Sequence, residues 1–344
     1  MHMADALISP AVGGTMWAAS AGLIAYSSKK VSEAADGRKV PLMGVLGAFI
    51  FAAQMINFSI PATGSSGHLG GGMILSILLG PFAAFLTMAS VLIVQALFFA
   101  DGGLLALGCN IFNLGFFPCF VAYPLIYKTI VKDDPTQAKI AIGSFLSAVI
   151  ALQLGAFGVV LETVFSGISE LPFNTFVLLM QPIHLAIGVV EGLVTAAVVT
   201  FVWKARPEIL DAAVSSKPIG RVDIKKVLVG LLIAAAVTGG ALSWFASGNP
   251  DGLEWAMFKT SGREELASRE KVHASLAGLQ EKTAFLPDYG FKKGEHEAPP
   301  AEDAKPQYPA VDTGTSVSGI VGAALTLLIA VSIGWALRKR NVAS

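Results

Sequence analysis

Two histidines stand where they could bind a metal ion: His2 at the start of the chain and His68 in the glycine-rich stretch 65–72, SSGHLGGG. The free amine of Met1, the peptide nitrogen joining Met1 to His2, and a His2 ring nitrogen can close consecutive five- and six-membered chelate rings around one divalent ion. His68 can supply a fourth nitrogen, and four nitrogens in a plane suit Ni(II) or Cu(II). Taken singly, His2 could belong to a frayed terminus and His68 to a plain connecting loop.

The chelate requires a free amine at Met1. The first residues lack the positive region of a cleavable signal peptide, and the first basic residues, Lys29 and Lys30, follow the first apolar segment. The large side chain of His2 should also protect Met1 from removal. We therefore expect the N-terminus to stay on the mature protein.

The composition indicates a membrane protein with several spans. Of 344 residues, 54% are hydrophobic, 36 are glycine and only 14% are charged, whereas roughly 25% charged residues are usual in soluble domains. The net charge is zero, which gives no reason to expect nucleic acid as a partner. Cys109 and Cys119 lie on one predicted helix about 15 Å apart and cannot form a disulfide with each other.

Apolar segments predict about nine transmembrane helices and an all-α polytopic fold. Gly80-Pro81 is a turn signal that divides the long apolar stretch 72–99 into a short span and a full one. The short span can cross only if the glycine-rich loop before it also lies at membrane depth. The nine segments are 11–27, 41–57, 72–80, 82–99, 106–130, 138–160, 175–203, 227–246 and 318–337.

Basic residues give the orientation, because short cytoplasmic loops carry an excess of Lys and Arg. With nine spans, all the basic residues of short loops fall on one side, so we expect the N-terminus outside, the C-terminus in the cytoplasm and the chain in the inner (cytoplasmic) membrane. Counting 72–99 as one span would break this pattern. The residues are Lys29, Lys30, Arg38, Lys39, Lys128, Lys132, Lys139, Lys204, Arg206, Lys217, Arg221, Lys225, Lys226, Arg338, Lys339 and Arg340.

Three units follow from this pattern. Residues 1–205 form a seven-span core, 206–226 a cytoplasmic linker, and 227–344 a two-span domain with an external loop at 247–317. The external loop is rich in charge and proline, so we expect it to be hydrated and partly mobile. His273 and His296 lie in it and are predicted to be solvated surface residues.

The predicted topology brings Met1, His2 and the 58–71 loop to the same outer side, although the histidines played no part in assigning the sides. About nine residues precede the first span, which allows roughly 30 Å of extended reach. A buried ammonium group would be costly unless it were deprotonated and bound. Irregular backbone at membrane depth is tolerated only where it lines a protein cavity.

Other polar residues lie within the predicted spans. His184 and Glu191 are seven positions apart on one helix face and could form a proton relay or a structural pair. Four amides could orient the histidines from behind, as metal sites usually require, or could simply join helices. They are Gln54, Asn57, Asn110 and Asn113.

These motifs resemble a known family, the substrate-binding membrane component of nickel and cobalt energy-coupling-factor (ECF) transporters. The resemblance covers about 1–205 and is carried by MHMADA at 1–6, FIFAAQMINF at 49–58, SGHL at 66–69 and DGGLLALG at 101–108. A second stretch, NPDGLEWA at 249–256, is similar to the PDGLE signature of that system's small two-span component.

The resemblance implies capture of Ni(II), or secondly Co(II), from outside by the Met1 amine, the His2 amide and ring, and His68. It also implies a membrane coupling subunit and cytosolic ATPase subunits as partners, and no resident cofactor. The small component is fused here, which leaves open whether a separate copy is needed. In the PDGLE stretch, Asp251 and Glu254 could cap a helix or assist metal loading.

Two other functions compete with this one. A self-sufficient proton-coupled transporter would use His184 and Glu191 as its relay. An intramembrane metalloenzyme is disfavoured because the chain has no HExxH motif and a planar four-nitrogen site leaves no open catalytic position. The chain also lacks a GxxxxGK[ST] motif, so an ATPase activity would have to come from partners.

Overall fold

The computed structural model describes residues 2–34, 36–133, 135–169, 171–220, 222–263, 271–292 and 309–342, with side chains up to 338. The described part is mostly helical. Its helices are α1 Pro10–Ala34, α2 Lys39–Gln54, α3 Gly72–Leu79, α4 Pro81–Phe99, α5 Leu107–Val131, α6 Gln137–Ser166, α7 Phe173–Ala205, α8 Pro207–Val214, α9 Lys225–Gly240, α10 Gly252–Ser261, α11 Lys271–Thr283 and α12 Thr313–Val342. One small hairpin pairs β1 Phe58–Ile60 with β2 Ser65–Gly67.

Five helices are long and apolar enough to cross a membrane: α4, α5, α6, α7 and α12. The other four predicted spans coincide with α1, α2, α3 and α9, of which α2 and α9 have 16 residues and α3 has eight. These three are shorter than the roughly 20 residues of an ordinary span. The all-α multi-pass class is therefore confirmed, and the count of nine remains a prediction.

The break between α3 and α4 lies where the sequence predicts it. Gly80 has φ +78°, a left-handed value that favours glycine, and Pro81 is the first residue of α4. Helix α5 is wound as a wide π-helix from Phe112 to Tyr127, with Pro118 and Pro124 inside it. Because proline has no N–H to donate, it disturbs regular α-helical bonding there.

The C-terminal helices pack directly on the core. Helix α12 lies against α2, where a Cβ added to Gly322 would be 2.0 Å from the Phe51 ring. Helices α9 and α12 meet at Gly239 and Gly319, and a Cβ on Gly319 would lie 2.2 Å from the Gly239 carbonyl oxygen. Glycines therefore permit the close approach of these helices.

The external segment differs from its prediction in the part that is described. Instead of hydrated chain, it contains α10, α11 and a 3₁₀ turn, Pro287–Tyr289, that dock on the core. Leu286 is 4% exposed and donates its N–H to the Phe98 carbonyl, at 3.3 Å. The charge and proline content did not predict this docking, because a few buried residues are enough to hold a polar segment against the core.

The two cysteines are buried and unpaired, as their spacing predicts. Cys119 lies 3.2 Å from the Ser76 hydroxyl oxygen, which donates to its sulfur. The predicted linker, 206–226, contains the short helix α8, whose Ile209 and Leu210 are buried.

Candidate metal-binding site

The segment that follows His2 is fixed to the core by its backbone. The Met3 N–H donates to Asn110 Oδ1 at 2.8 Å, and Asn110 Nδ2 donates to the Met3 carbonyl at 3.3 Å. The N–H of Gly103 donates to the same carbonyl at 2.9 Å. Asp5 Oδ1 accepts the Ala106 N–H at 2.9 Å, and burial raises the pKa of the Asp5 carboxyl. Asn110 therefore positions the start of the chain.

His2 lies beside His68 in the interior. The two rings stack with their centroids 5.0 Å apart and their planes inclined by 15°. His2 Nδ1 lies 2.9 Å from Asp101 Oδ1, while the buried His2 Nε2 has no hydrogen-bond partner among the described residues. Met1 lies outside the described residues.

His68 is buried and suited to act as a neutral ligand. Its Nδ1 lies 3.1 Å from the Leu69 carbonyl oxygen, which can only accept, so Nδ1 carries the proton and Nε2 the lone pair. Burial lowers the pKa of His68 to about 3, so the ring stays neutral at physiological pH. Metal binding requires this form.

The backbone just after His68 is held from two sides. Gln54 Nε2 donates to the Gly70 carbonyl at 2.8 Å, and Gln95 Nε2 donates to Gln54 Oε1 at 2.8 Å. From the other side, the Glu191 carboxylate accepts the N–H groups of Gly70 and Gly71 at 3.0 and 2.9 Å. Glu191 therefore satisfies backbone donors at the start of α3, next to the loop that carries His68.

His184 and Glu191 do not pair, so the expected pair is wrong. His184 Nδ1 lies 2.8 Å from the Met180 carbonyl in its own helix, and Glu191 bonds the two glycine amides. Seven residues of helix separate the two positions by roughly 10 Å, which is too far for direct contact between these side chains.

Asp101 is the residue of the site that the sequence did not single out, although it begins the quoted stretch DGGLLALG. Burial raises the pKa of its carboxyl, but His2 and the hydroxyl of Tyr289 outweigh burial and leave the pKa below its usual range. The Tyr289 hydroxyl donates to Asp101 Oδ2, and its ring stacks on Phe99 at 5.2 Å. Tyr289 therefore links the external segment to His2 through one carboxylate.

The PDGLE stretch begins α10 with the predicted cap. Asp251 Oδ1 accepts the N–H groups of Leu253 and Glu254 at 2.7 and 2.9 Å, and Glu254 Oε2 accepts the Asp251 N–H at 2.9 Å. Burial, followed by the nearby Asp251 charge, raises the pKa of the Glu254 carboxyl. This reciprocal pair is a capping box.

The same stretch also lies on the glycine-rich loop. Ser66 donates its N–H to the Pro250 carbonyl and its hydroxyl to the Asn249 carbonyl, both at 2.8 Å. Trp255 Nε1 donates to the Thr63 carbonyl at 2.9 Å. The PDGLE stretch can therefore cap α10 and at the same time contact the loop that carries His68.

These elements enclose a cavity of about 530 Å³. It is far larger than one metal ion requires. Among the described residues, no three His, Cys, Asp or Glu side chains converge as a metal-binding group. The polar lining includes His2, Asp5, Gln54, Asn57, His68, Asp101, Asn249, Asp251, Glu254, His273, Gln280, Asp288 and Tyr289.

The four predicted supporting amides separate into two groups. Gln54 and Asn57 line the cavity, and Asn110 anchors Met3. Asn113 instead donates to Glu162 Oε2 at 2.7 Å and lies away from this cavity lining. Two of the four amides therefore line the cavity of the histidines, and a third bonds the residue next to His2.

His273 corrects another expectation. It was predicted to be a solvated surface residue, yet it is 1% exposed, and its Nε2 lies 2.9 Å from the Ile8 carbonyl oxygen. The cause is the docking of α11, whose Gln280 Nε2 also donates to the Ala96 and Gly102 carbonyls at 2.8 and 2.7 Å. His296 lies outside the described residues.

Tyr289→Phe tests the link from the external segment to His2. The variant keeps the ring on Phe99 but removes the donor to Asp101, so we expect Ni(II) affinity to fall about tenfold, as is typical when support behind a ligand is lost. Calorimetric titration would measure the change, with Tyr26→Phe, at an exposed position, as the matched control. In the Asp101→Ala background, which removes the acceptor of the Tyr289 hydroxyl, Tyr289→Phe should have little further effect; equal losses in both backgrounds would contradict the link.

Comparison with known proteins identifies the family. The model of the cobalt uptake substrate-specific transmembrane region, CbiM, matches residues 2–209, and the PDGLE domain model matches 225–339. A putative fused nickel transport protein, NikMN, of Archaeoglobus fulgidus is 30% identical over 355 residues, covering 98% of each chain.

Two shorter matches agree. A putative metal transport protein of Haloquadratum walsbyi is 35% identical over 212 residues, covering 61% of this chain and 93% of the relative. A crystal structure of a transition metal transporter is 30% identical with a TM-score of 0.54, covering 60% of this chain and 94% of that one. This chain therefore belongs to the CbiM family of substrate-specific membrane components, with a PDGLE-containing small component fused behind it.

Proposed function

We propose that this chain captures a divalent transition-metal ion outside the cell and passes it inward, with Ni(II) as the first candidate and Co(II) as the second. The observation that carries the proposal is the stacked pair of buried His2 and His68 rings, 5.0 Å apart, at the lining of the cavity. Relatives described as nickel or cobalt transport proteins support the same function. The metal is the transported substrate, and no resident cofactor is proposed.

The proposed ligands are the Met1 amine, the Met1–His2 peptide nitrogen, a His2 ring nitrogen and His68 Nε2. The six-membered chelate ring requires His2 Nδ1, the atom that contacts Asp101 in this structure. We propose that metal binding turns the imidazole about its Cβ–Cγ bond, so that Nδ1 binds the ion and Asp101 accepts the other ring N–H. A carboxylate in this role orients the ring and increases its basicity.

Four nitrogens in a plane favour Ni(II) over Co(II). Nickel readily adopts square-planar geometry with amide and imidazole donors, and it stands above cobalt in general affinity for such sites. The site would release protons on loading, because the amine and the peptide nitrogen must both lose hydrogen to bind.

We also propose the energy source and the organisation of the assembly. The chain has no GxxxxGK[ST] motif, so cytosolic ATPase subunits and a membrane coupling subunit of ECF type would drive transport in the inner (cytoplasmic) membrane. The core at 1–205 would hold the metal, 206–226 would be the cytoplasmic linker, and 227–344 would replace the separate small subunit. Docking of the PDGLE stretch on Ser66 supports that replacement.

Neither competing function gains an observation in its favour. A proton relay between His184 and Glu191 lacks the contact it needs, because each side chain bonds backbone groups instead. The metalloenzyme alternative gains no support from the relatives, which are described as transport proteins.

The proposed topology has nine spans with the N-terminus outside. Single cysteines at Ser28 and Thr63, in a background without the two native cysteines, should label from opposite sides with an impermeant thiol reagent. Only Thr63→Cys should react in intact cells, because Ser28 adjoins Lys29 on the proposed cytoplasmic side. Labelling of both from outside would refute the topology.

His68→Ala should abolish tight Ni(II) binding and uptake, since it removes one of four donors at a loop position. His184→Ala is the matched control: it also removes a buried imidazole, but from a residue whose ring bonds its own helix. Ni(II) titration of purified protein and uptake by cells that contain the complete transporter would measure both effects. Equal loss of Ni(II) binding in the two variants would contradict the assignment of His68 as a ligand.

The position of the amine gives the sharpest test. One uncleaved residue placed before Met1 converts its amine into a secondary amide and puts histidine third, a spacing that can itself wrap Ni(II). The longer wrap would displace His68 and crowd the cavity, so uptake should fall severely even if a square-planar absorption spectrum survives.

The control is the same extension with a protease site directly before Met1, whose removal should restore uptake. Normal uptake by the complete transporter with the uncleaved extension would show that the Met1 amine is not a ligand. The rest of the proposed donor set would then need revision, because the chelate begins at that amine.

A further inference from the structure

A second cavity, of about 330 Å³, lies at the opposite end of α2 and α4 from the metal-binding cavity. The first cavity is bordered by Gln54 and Ala100 at the C-terminal ends of these helices, whereas the second is bordered by Lys39 and Pro81 at their first residues. Helix α2, with 16 residues, separates the two by about 24 Å. The second cavity is therefore a separate site at the other end of the bundle.

Two cations on this cavity lack a direct ion pair among the described residues, although the charge of Asp36 acts on one of them, Lys39. Of its carboxylates, Glu33 binds Lys30 at 3.0 Å, and the two oxygens of Asp36 accept the N–H groups of Arg38 and Ile219 at 3.1 and 3.0 Å. Lys39 and Arg338 also line the cavity. Within the part of the chain that the structure describes, neither is in an ion pair.

The surrounding backbone favours an anion as well. Helices α2 and α4 both begin at this cavity, and neither has a side-chain hydrogen bond at its N-cap. Helix N-termini carry partial positive charge and unsatisfied N–H groups. The two cations and the two helix N-termini therefore all favour binding of an anion in this cavity.

Apolar walls distinguish a lipid from a free anion. Val40 and Phe82 are partly exposed and give the cavity its accessible apolar surface, whereas Met43 and Leu79 are already buried by the protein. A free phosphate ion would leave these walls uncovered, whereas a phospholipid presents an anionic head and apolar chains together. The cavity also lies at the ends of apolar helices, where lipid headgroups meet the protein.

We infer that this cavity binds an anionic phospholipid, with its phosphate between Lys39 and Arg338 and an acyl chain along the apolar walls. The site joins two parts of the chain, because Lys39 begins α2 in the core and Arg338 belongs to α12 of the C-terminal unit. The Arg338 guanidinium already lies so close to the backbone that a Cβ on Gly37 would be 2.8 Å from its Cζ. The lipid stabilises the docking of α12 on the core.

The test compares lipids on the full-length protein in neutral detergent. Native mass spectrometry and thermal unfolding would be followed during titration with phosphatidylglycerol, with phosphatidylcholine of the same chains, and with inorganic phosphate. We expect phosphatidylglycerol alone to bind with a defined stoichiometry and to raise the unfolding temperature. Equal effects of phosphatidylcholine would overturn the inference, and equal effects of inorganic phosphate would assign the cavity to a soluble anion.

Variants that remove the charge of Lys39 or Arg338 test whether the lipid binds in this cavity. Lys39→Gln and Arg338→Gln should each weaken phosphatidylglycerol binding about fivefold, and the double variant roughly 25-fold, because a cation near anionic lipid contributes about 1 kcal/mol. Lys204→Gln with Lys226→Gln is the control, since both residues are exposed and neither lines the cavity. Undiminished binding by the double variant would place the lipid elsewhere.

Two further outcomes keep the test decisive. If the double variant does not fold, the comparison of the two lipids on the unchanged protein still decides between an anionic-lipid site and a general one. If the variant binds phosphatidylglycerol normally but fails to assemble with the coupling and ATPase subunits, the cavity is a protein interface and the lipid inference is wrong.

Discussion

The geometry of the candidate metal-binding cavity depends on the hydrogen bonds that tie the Met3 backbone to Asn110. Here the amide at position 3 is fixed in the interior, so His2 can reach only a small volume. Stacking on His68 and the contact with Asp101 follow from that restriction. Neutral hydrogen bonds from the Asn110 side chain and the Gly103 backbone thus hold this segment in place.

The external segment also holds the residues around the two histidines in place by hydrogen bonds. Tyr289 bonds Asp101, Gln280 bonds the backbone beside it, and the PDGLE stretch bonds Ser66 in the loop before His68. Each histidine is therefore supported by an element of the core and by an element of the fused unit. Fusion guarantees that both supports are present on every molecule, whereas separate subunits would have to associate first.

The sequence predicted the elements better than their contacts. Apolar segments located every long helix, Gly80-Pro81 located the break before α4, and the two histidines that the sequence singled out, His2 and His68, lie side by side. The sequence did not predict the roles of Asp101 and Tyr289. The two residues are about 190 positions apart, and no local pattern indicates a hydrogen bond between side chains so distant in sequence. His273 was mispredicted for a similar reason: its surroundings are polar in sequence, but its ring meets Ile8 from the opposite end of the chain.

Glu191 shows how a costly group can organise the site from within the bundle. A carboxylate among apolar helices is expensive unless its oxygens are satisfied, and here both oxygens accept backbone N–H groups at the start of α3. Those amides belong to Gly70 and Gly71, close to His68 in the chain. Because Glu191 lies in α7, its two hydrogen bonds connect α7 to the His68 loop. A displacement of α7 must either carry the His68 loop with it or leave a buried carboxylate unsatisfied. The bundle can therefore move the His68 loop from a distance, through hydrogen bonds to its backbone.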